Sequence, residues 1–217
     1  MTDPGKLLSA AEPEMPPDLA ELAARGKQRE YRKGTLLIQE GDEGDSLFII
    51  LSGRVKVFAM DSVDHEVTYG IYGAGNYFGE MSLDGGPRSA SVITLETTVC
   101  SVVTKRGLRN FISERPDFAY SLLITTIART RQSTRIARSL ALDDVYSRVV
   151  RYLNVESVCR SDGTQAMEER LTHQELASRV GASREMVSRI LKDLELGGYL
   201  RVQEHRLVLL SKLPQRW

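Results

Sequence analysis

Residues 172–194, THQELASRVGASREMVSRILKDL, constrain the fold of this chain more tightly than any other stretch. They read as two short helices joined by a tight turn, and the second helix has two unlike faces. At about 100° per residue, the α-helical period, Arg184, Glu185, Ser188 and Arg189 fall within one sector of about 140°. Met186, Val187, Ile190, Leu191 and Leu194 fill the other side. That apolar side can dock on Leu176, Ala177 and Val180 of the first helix and leave the polar side facing outward. Gly181 stands where a left-handed C-cap is needed, and Ser183 is placed to cap the next helix. The pattern is that of a helix-turn-helix.

The outward residues lie in the first two turns of the second helix, the part that reaches base edges in a DNA major groove. Arginine bonds bidentately to guanine O6 and N7, and glutamate accepts from cytosine N4. An ordinary solvated helix face also carries Arg and Glu, so residue type alone decides nothing. Here the cap, the glycine and the facing apolar helix coincide, which favours DNA.

Composition narrows the remaining classes. The 217 residues suit one large or two small domains, and the 41% hydrophobic and 27% charged content is ordinary for a soluble protein. A formal net charge of zero does not advertise a nucleic-acid binder. The local distribution is less neutral. Arg129, Arg131, Arg135 and Arg138 form a run without an acid, and the last 47 residues carry eight Lys/Arg against five Asp/Glu. Phosphate attraction depends on the local face, so overall neutrality does not exclude DNA.

Cys100 and Cys159 stand at no metal-ligand spacing, which argues against a disulfide framework, a zinc site or a four-cysteine iron–sulfur cluster. Both are expected as buried small hydrophobes of a reducing cytoplasm. His65, His173 and His205 are expected at the surface. No apolar run approaches the roughly 20 residues of a membrane span, and no secretory leader pattern opens the chain. A cytoplasmic protein without membrane contact is expected.

In chain order, residues 1–25 predict a loose tail rich in Pro, Ala and Glu, with a short helix around Leu19–Ala24. From Lys27 onward short β runs alternate with turn residues. Strands are predicted near Tyr31 and over Thr35–Gln39, Leu47–Leu51, Arg54–Ala59, Glu66–Ile71, Ala90–Leu95 and Thr98–Val103. Gly-rich turns between them indicate a β-barrel or sandwich. Lys105–Glu114 predicts a helix stopped by Arg115-Pro116, since the residue before proline disfavours α. Asp117 is expected to cap a long helix to about Leu140. Its stripe of Leu123, Ile127 (or Thr126), Thr130, Ser133/Thr134, Ala137 and Leu140 is apolar at both ends and polar in the middle. A dimer seam that pauses at a polar ligand has that pattern, and so does a weak surface helix.

Asp143 is expected to cap a further helix through Val158, followed by a polar loop over Cys159–Glu169. After the helix-turn-helix, Tyr199–Val202 and Leu207–Leu210 flank Gln203–Arg206 as a β-hairpin wing. The expected class is therefore α+β: an N-terminal β-roll, a long connecting helix and a C-terminal winged helix-turn-helix.

A second site is written in Phe78–Val92, FGEMSLDGGPRSASV, which interrupts the apolar alternation of the β region. Backbone N–H groups near Ser89 and Ala90, with Arg88 alongside, can cradle a phosphate. Ionised Glu80 only accepts hydrogen bonds and suits a sugar hydroxyl. Together they fit a nucleotide sugar-phosphate. Alternatively, Arg88 and Glu80 form an ion pair that closes the loop.

These segments, with GDEGDSLFIILSGRVKVF ahead of them and SREMVSRILKDLE at the recognition helix, resemble the Crp/Fnr family of cyclic-nucleotide-responsive transcription regulators. The resemblance covers nearly the whole chain beyond the N-terminal tail. It implies a cyclic-nucleotide-binding jelly roll over 26–115, a dimerisation helix and hinge over 116–142, and a DNA-binding winged helix-turn-helix over 143–217. Gly79, Glu80 and Met81 would lie at the ribose, with Arg88, Ser89 and Ala90 at the cyclic phosphate. Aligning Leu140–Val145 with the family hinge places Ser133 and Thr134 at the base, one of them acting across a homodimer. Thr172, Gln174, Ser183, Arg184, Glu185, Ser188 and Arg189 would contact DNA, at a palindromic site with TGTGA-like half-sites.

The implied effector is cyclic AMP, with cyclic di-GMP or no effector as alternatives, because the turn Asp84-Gly85-Gly86-Pro87 is short for the family. Double-stranded DNA, a second copy of the chain and RNA polymerase are the implied partners. A cyclic-nucleotide module without a DNA role is the rival class. Nothing in the sequence pairs a nucleophile with a base or forms a Walker loop, so no catalytic activity is expected.

Overall fold

The computed structural model of the chain describes residues 15–62, 65–160, 164–203 and 205–214. The first 14 residues, where the loose tail is expected, lie outside them. The elements run as helix α1 (Pro17–Ala24) and strands β1 (Lys27–Tyr31), β2 (Leu36–Ile38), β3 (Ser46–Ser52), β4 (Val55–Met60), β5 (Glu66–Tyr72) and β6 (Tyr77–Phe78). A 3₁₀ turn over Glu80–Asp84 follows, then β7 (Ser91–Thr94), β8 (Thr98–Thr104), α2 (Lys105–Glu114) and α3 (Pro116–Leu142). The C-terminal part holds α4 (Val145–Glu156), β9 (Ser157–Cys159), β10 (Gln165–Met167), α5 (His173–Val180), α6 (Arg184–Leu196), β11 (Leu200–Gln203) and β12 (Arg206–Leu209). The class is α+β with antiparallel sheets, as expected.

Two compact units arise. Of the described residues, 15–59 and 69–134 form one; 60–68 and those from 135 onward form the other.

In the first unit, β3 is buried on both faces. Leu47 and Ile49 join α1, α2 and Phe118 in one core, while Ile50 joins Ile38, Val55, Phe78, Val92 and Cys100 in another. Period-two alternation sends successive side chains to opposite faces, so one strand serves both cores. Sheet β1-β8-β3-β6 thus carries helices on one side and faces sheet β2-β7-β4-β5 on the other. Phe48 and Phe78 stack at 5.0 Å between ring centroids. The two-residue β6 and the 3₁₀ turn were not anticipated, since neither is long enough to show a period.

Pro116 starts α3, and Asp117 sits in its first turn rather than capping it. Proline suits that first position because its missing N–H has no helical partner there anyway. The cap of α4 is likewise Asp144, whose Oδ1 accepts from Ser147 N–H at 2.7 Å. The expected cap, Asp143, instead takes an ion pair from Arg151 at 2.6 Å. Helix α4 ends at Glu156, two residues before the predicted Val158. Ser157–Cys159 then pair with Gln165–Met167, so a strand pair takes in Cys159 and Gln165–Met167 of the expected polar loop. Three-residue strands leave no periodic signal. Residues 161–163 of that loop lie outside the described residues.

In the second unit, Val149 and Leu153 of α4, Leu176 and Val180 of α5, and Val187, Leu191 and Leu194 of α6 share one core with Met167, Leu200, Leu207 and Leu209 of the sheet β11-β12-β10-β9. Each such fully buried aliphatic contributes about 1.5–3 kcal/mol of apolar transfer energy. The wing pairs in register from Leu200↔Leu209 to Gln203↔Arg206.

Candidate functional site

The cassette Phe78–Val92 is tied to the β2–β3 loop by its backbone. Arg88 N–H donates to Asp42 O at 2.8 Å, and Gly41 N–H donates to Arg88 O at 2.9 Å. The Arg88 side chain runs inward and is buried. Its Nη1 donates to Gly79 O and Ser82 Oγ, each at 2.8 Å, and lies 3.1 Å from Ser46 O. Two glycines make room for it. A Cβ at Gly44 would stand 2.5 Å from Nε and Nη2, and one at Gly79 would stand 2.8 Å from Nη1. Gly79 also has φ 86°, a left-handed conformation that starts the 3₁₀ turn.

All three of those Arg88 partners are neutral. Burial lowers its pKa, offset in part by Asp45, Asp42 and Glu80 at longer range. The expected alternative, an Arg88–Glu80 ion pair, is absent among the described residues. Glu80 pairs instead with Arg129 of α3, at 2.8 Å from Nη1. Arg129 also donates to Tyr77 O and lies 4.6 Å from the ring centroids of Tyr72 and Tyr77. Burial works against the Arg129 charge, yet Glu80 and the two tyrosines hold its pKa above the usual arginine value.

These groups surround a cavity of about 330 Å³, lined by Gly79, Glu80, Met81, Ser82, Arg88, Ser89, Ala90, Arg129, Gln132 and Ser133 above an apolar floor of Ile38, Val57, Phe78 and Val92. That volume lies at the low end of small-molecule sites. At one end a buried cation makes no ion pair among the described residues, and at the other a carboxylate is held by a cation. Met81 and Ser89 are exposed at the rim, where Ser89 Oγ lies 3.2 Å from Met81 Sδ. Ser133 lines the cavity and Thr134 does not: its hydroxyl donates back to Thr130 O at 3.0 Å. Arg129 was missed as a site residue. Its signal was present, because Arg129, Gln132 and Ser133 share one helix face at i, i+3 and i+4.

The helix-turn-helix is built by local rules. Thr172 and Glu175 form a reciprocal capping box at the start of α5. Gly181 ends α5 with φ 61° and ψ 53°, where a Cβ would also stand 2.5 Å from the Leu140 side chain. Arg148 of α4 closes the same end, donating to Val180 O at 2.8 Å and Gly181 O at 3.0 Å. Ser183 Oγ accepts from Met186 N–H at 3.2 Å and caps α6.

Val187, Ile190, Leu191 and Leu194 are buried, whereas Arg184, Glu185 and Arg189 are exposed. Met186, assigned to the apolar side, is 39% exposed at its edge. Gln174 is exposed on α5, and Ser188 is half-buried with its Oγ 2.7 Å from His173 Nδ1.

Other expectations divide. His65, His173 and His205 are exposed, as expected. Cys100 is buried, but Cys159 is exposed on β9, because a residue at the end of an edge strand has one face in solvent. Among the described residues no helix is long and apolar enough to cross a membrane, and no group of three His, Cys, Asp or Glu is placed to hold a metal ion.

Residues 28–115 match the cyclic nucleotide-binding domain family, and residues 147–214 match the Crp-like helix-turn-helix domain family. A CRP-like cAMP-activated global transcriptional regulator of Mycobacterium tuberculosis is 32% identical over 202 residues, spanning 90% of this chain and 89% of that protein. The CRP-like protein Clp of Xanthomonas oryzae pv. oryzae is 31% identical over 198 residues, spanning 86% and 85%. The solved structure of the c-di-GMP responsive global regulator CLP of Xanthomonas campestris superposes with a TM-score of 0.80 at 28% identity, covering 89% of this chain and 98% of that one. Identity at that level over nearly the full length of both chains, with both domain families in order, carries the assignment beyond fold: this chain belongs to the Crp/Fnr family of transcription regulators, which are DNA-binding proteins and not enzymes.

Proposed function

We propose that the chain acts as a homodimer that binds a palindromic DNA site with TGTGA-like half-sites, under control of one cyclic nucleotide per β-roll, with cyclic AMP as the effector. Arg88 carries the effector assignment. A buried guanidinium hydrogen-bonded only to neutral acceptors, with carboxylates acting on it only at longer range, suits a phosphate held through charge-assisted hydrogen bonds. Glu80 and Gly79 take the ribose, and Met81, Ser89 and Ala90 close the rim. Ser133 meets the base from the same chain. Thr134, one residue round the helix and pointing elsewhere, serves the partner's pocket. A cavity of about 330 Å³ with one buried cation outside any ion pair suits one phosphate, whereas a cyclic dinucleotide carries two. Cyclic di-GMP remains the second reading because a structural neighbour with a TM-score of 0.80 is named for its response to it.

The dimer rests on α3, which exposes Tyr120, Leu123, Ile124 and Ile127 along one side of its N-terminal half. Residues 26–115 then form the effector domain, 116–142 the dimerisation helix and hinge, and 143–217 the DNA-binding domain. Thr172, Gln174, Ser183, Arg184, Glu185, Ser188 and Arg189 form the DNA face, with Thr172 and Ser183 also capping their helices. Nucleotide favours the DNA-competent arrangement by binding it more tightly, a population shift that RNA polymerase reads at the promoter.

Fluorescence anisotropy of a labelled palindromic duplex tests this, with protein alone, with cyclic AMP and with cyclic di-GMP. Tightening by cyclic AMP, lost in R88A, is the expected result. Loosening or tightening by cyclic di-GMP alone would reassign the effector. Equal tight binding in all three would make the regulator constitutive.

A further inference from the structure

His173 is the first residue of α5, directly after the Thr172 cap, and its Nδ1 lies 2.7 Å from Ser188 Oγ on α6. Two devices hold the ring in place. The capping box fixes the start of α5: Thr172 N–H donates to Glu175 Oε2 at 2.7 Å, and Glu175 N–H donates to Thr172 Oγ1 at 3.1 Å. Behind it, Leu176 and Ala177 lock α5 into the core that also holds Val187 and Leu191 of α6.

Ser188 stands one turn beyond Arg184 and next to Arg189, inside the polar sector of α6. A serine there ordinarily turns among staggered rotamers or bonds back to its own helix. The imidazole takes that freedom away. In either tautomer the ring also consumes part of the hydroxyl's bonding capacity, which narrows what Ser188 can offer a base edge. Moreover, this bond joins the two helices beside the core they share, so it limits the rotation of α6 against α5.

We infer that His173 is a specificity-determining positioning residue: through its hydrogen bond to Ser188 it sets one rotamer of that hydroxyl and one rotation of α6, so that Arg184, Glu185 and Arg189 meet base edges in a single register. This rests on α6 being the DNA-recognition helix.

The test uses the full chain with cyclic AMP present. A preferred site is first selected by the wild type from a random duplex pool. Competition anisotropy then compares that site, its single-base variants and an unrelated duplex, for wild type, H173A, H173N, S188A and H173A/S188A. H173A should lower the ratio of specific to non-specific affinity about 3- to 10-fold, the scale of one hydrogen bond. Non-specific affinity, salt slope and thermal midpoint should stay unchanged. S188A should lose at least as much of the ratio, the double variant should be no worse than S188A, and H173N, which can place an amide oxygen near Nδ1, should recover part of the ratio.

An unchanged ratio in H173A, or additive losses in the double variant, would overturn the inference. A salt slope reduced by about one would also overturn it, making His173 a phosphate contact instead. No enrichment of any site by the wild type would overturn the DNA-recognition reading itself.

Discussion

Arg129 on α3 donates to Glu80 Oε1 at 2.8 Å, and each of these side chains is less than one-fifth exposed. The two ends of the cavity therefore differ in charge balance. Glu80 has its cation, whereas Arg88 is bonded only to neutral oxygens. A ribose hydroxyl entering at Glu80 must share that carboxylate with Arg129, which puts the pocket in direct contact with the proposed dimerisation helix.

Removing one partner of that pair should be worse than removing both. R129A strands a largely buried carboxylate and should lower unfolding stability by about 2 kcal/mol, while R129A/E80Q recovers most of the loss. Urea denaturation of the wild type, R129A, E80Q and R129A/E80Q checks this. Additive losses would mean that the pair contributes no coupling.

Gly44→Ala should disable nucleotide binding without touching a proposed ligand contact. Its Cβ would stand 2.5 Å from the Arg88 guanidinium, so the cation must move out of its cradle. Misplacing one charge-assisted hydrogen bond costs about 1.5–3 kcal/mol, or roughly 10- to 150-fold in nucleotide affinity. Isothermal titration with cyclic AMP reads the loss, and an unchanged far-ultraviolet spectrum shows that the fold survives.

Arg184→Ala and Arg189→Ala should each cost about 1–3 kcal/mol at the preferred DNA site and relax discrimination at one base pair. Affinity for an unrelated duplex should fall far less. A uniform loss across all sequences would place these arginines on phosphates.

The two thiols should differ sharply toward an aromatic disulfide reagent at pH 8. Burial pushes the Cys100 thiol up to about 12, so almost no thiolate is present and reaction awaits unfolding. Cys159 is exposed and should react within minutes. One fast equivalent in the native protein and two in denaturant is the expected titration.

The readable parts of the chain were those governed by local chemistry. Gly181 needs a left-handed backbone and Ser183 a helix start, so the helix-turn-helix could be placed to the residue. The apolar run Leu47–Leu51 marked a strand, whereas its burial on both faces emerged only with the packing around it. The neighbouring helix starts moved by one or two residues: α3 begins at Pro116, ahead of Asp117, and α4 is capped by Asp144 in place of Asp143, because adjacent residues there each fit a helix start. The strand pair Ser157–Cys159 and Gln165–Met167 was unreadable, since three residues carry no period and their pairing is non-local.

By itself, then, the sequence determined the longer elements, where the recognition helix begins and which residue types could hold a nucleotide. Those features follow from backbone propensity, capping and side-chain period, all of which act within a few residues. Only the tertiary structure decided partnership: that Glu80 faces Arg129, 49 residues away, and not Arg88, and that His173 meets Ser188 across the turn. Charge and hydrogen-bonding capacity are written in each residue, but which opposite charge lies within 3 Å depends on how the cassette and the helices fold against each other.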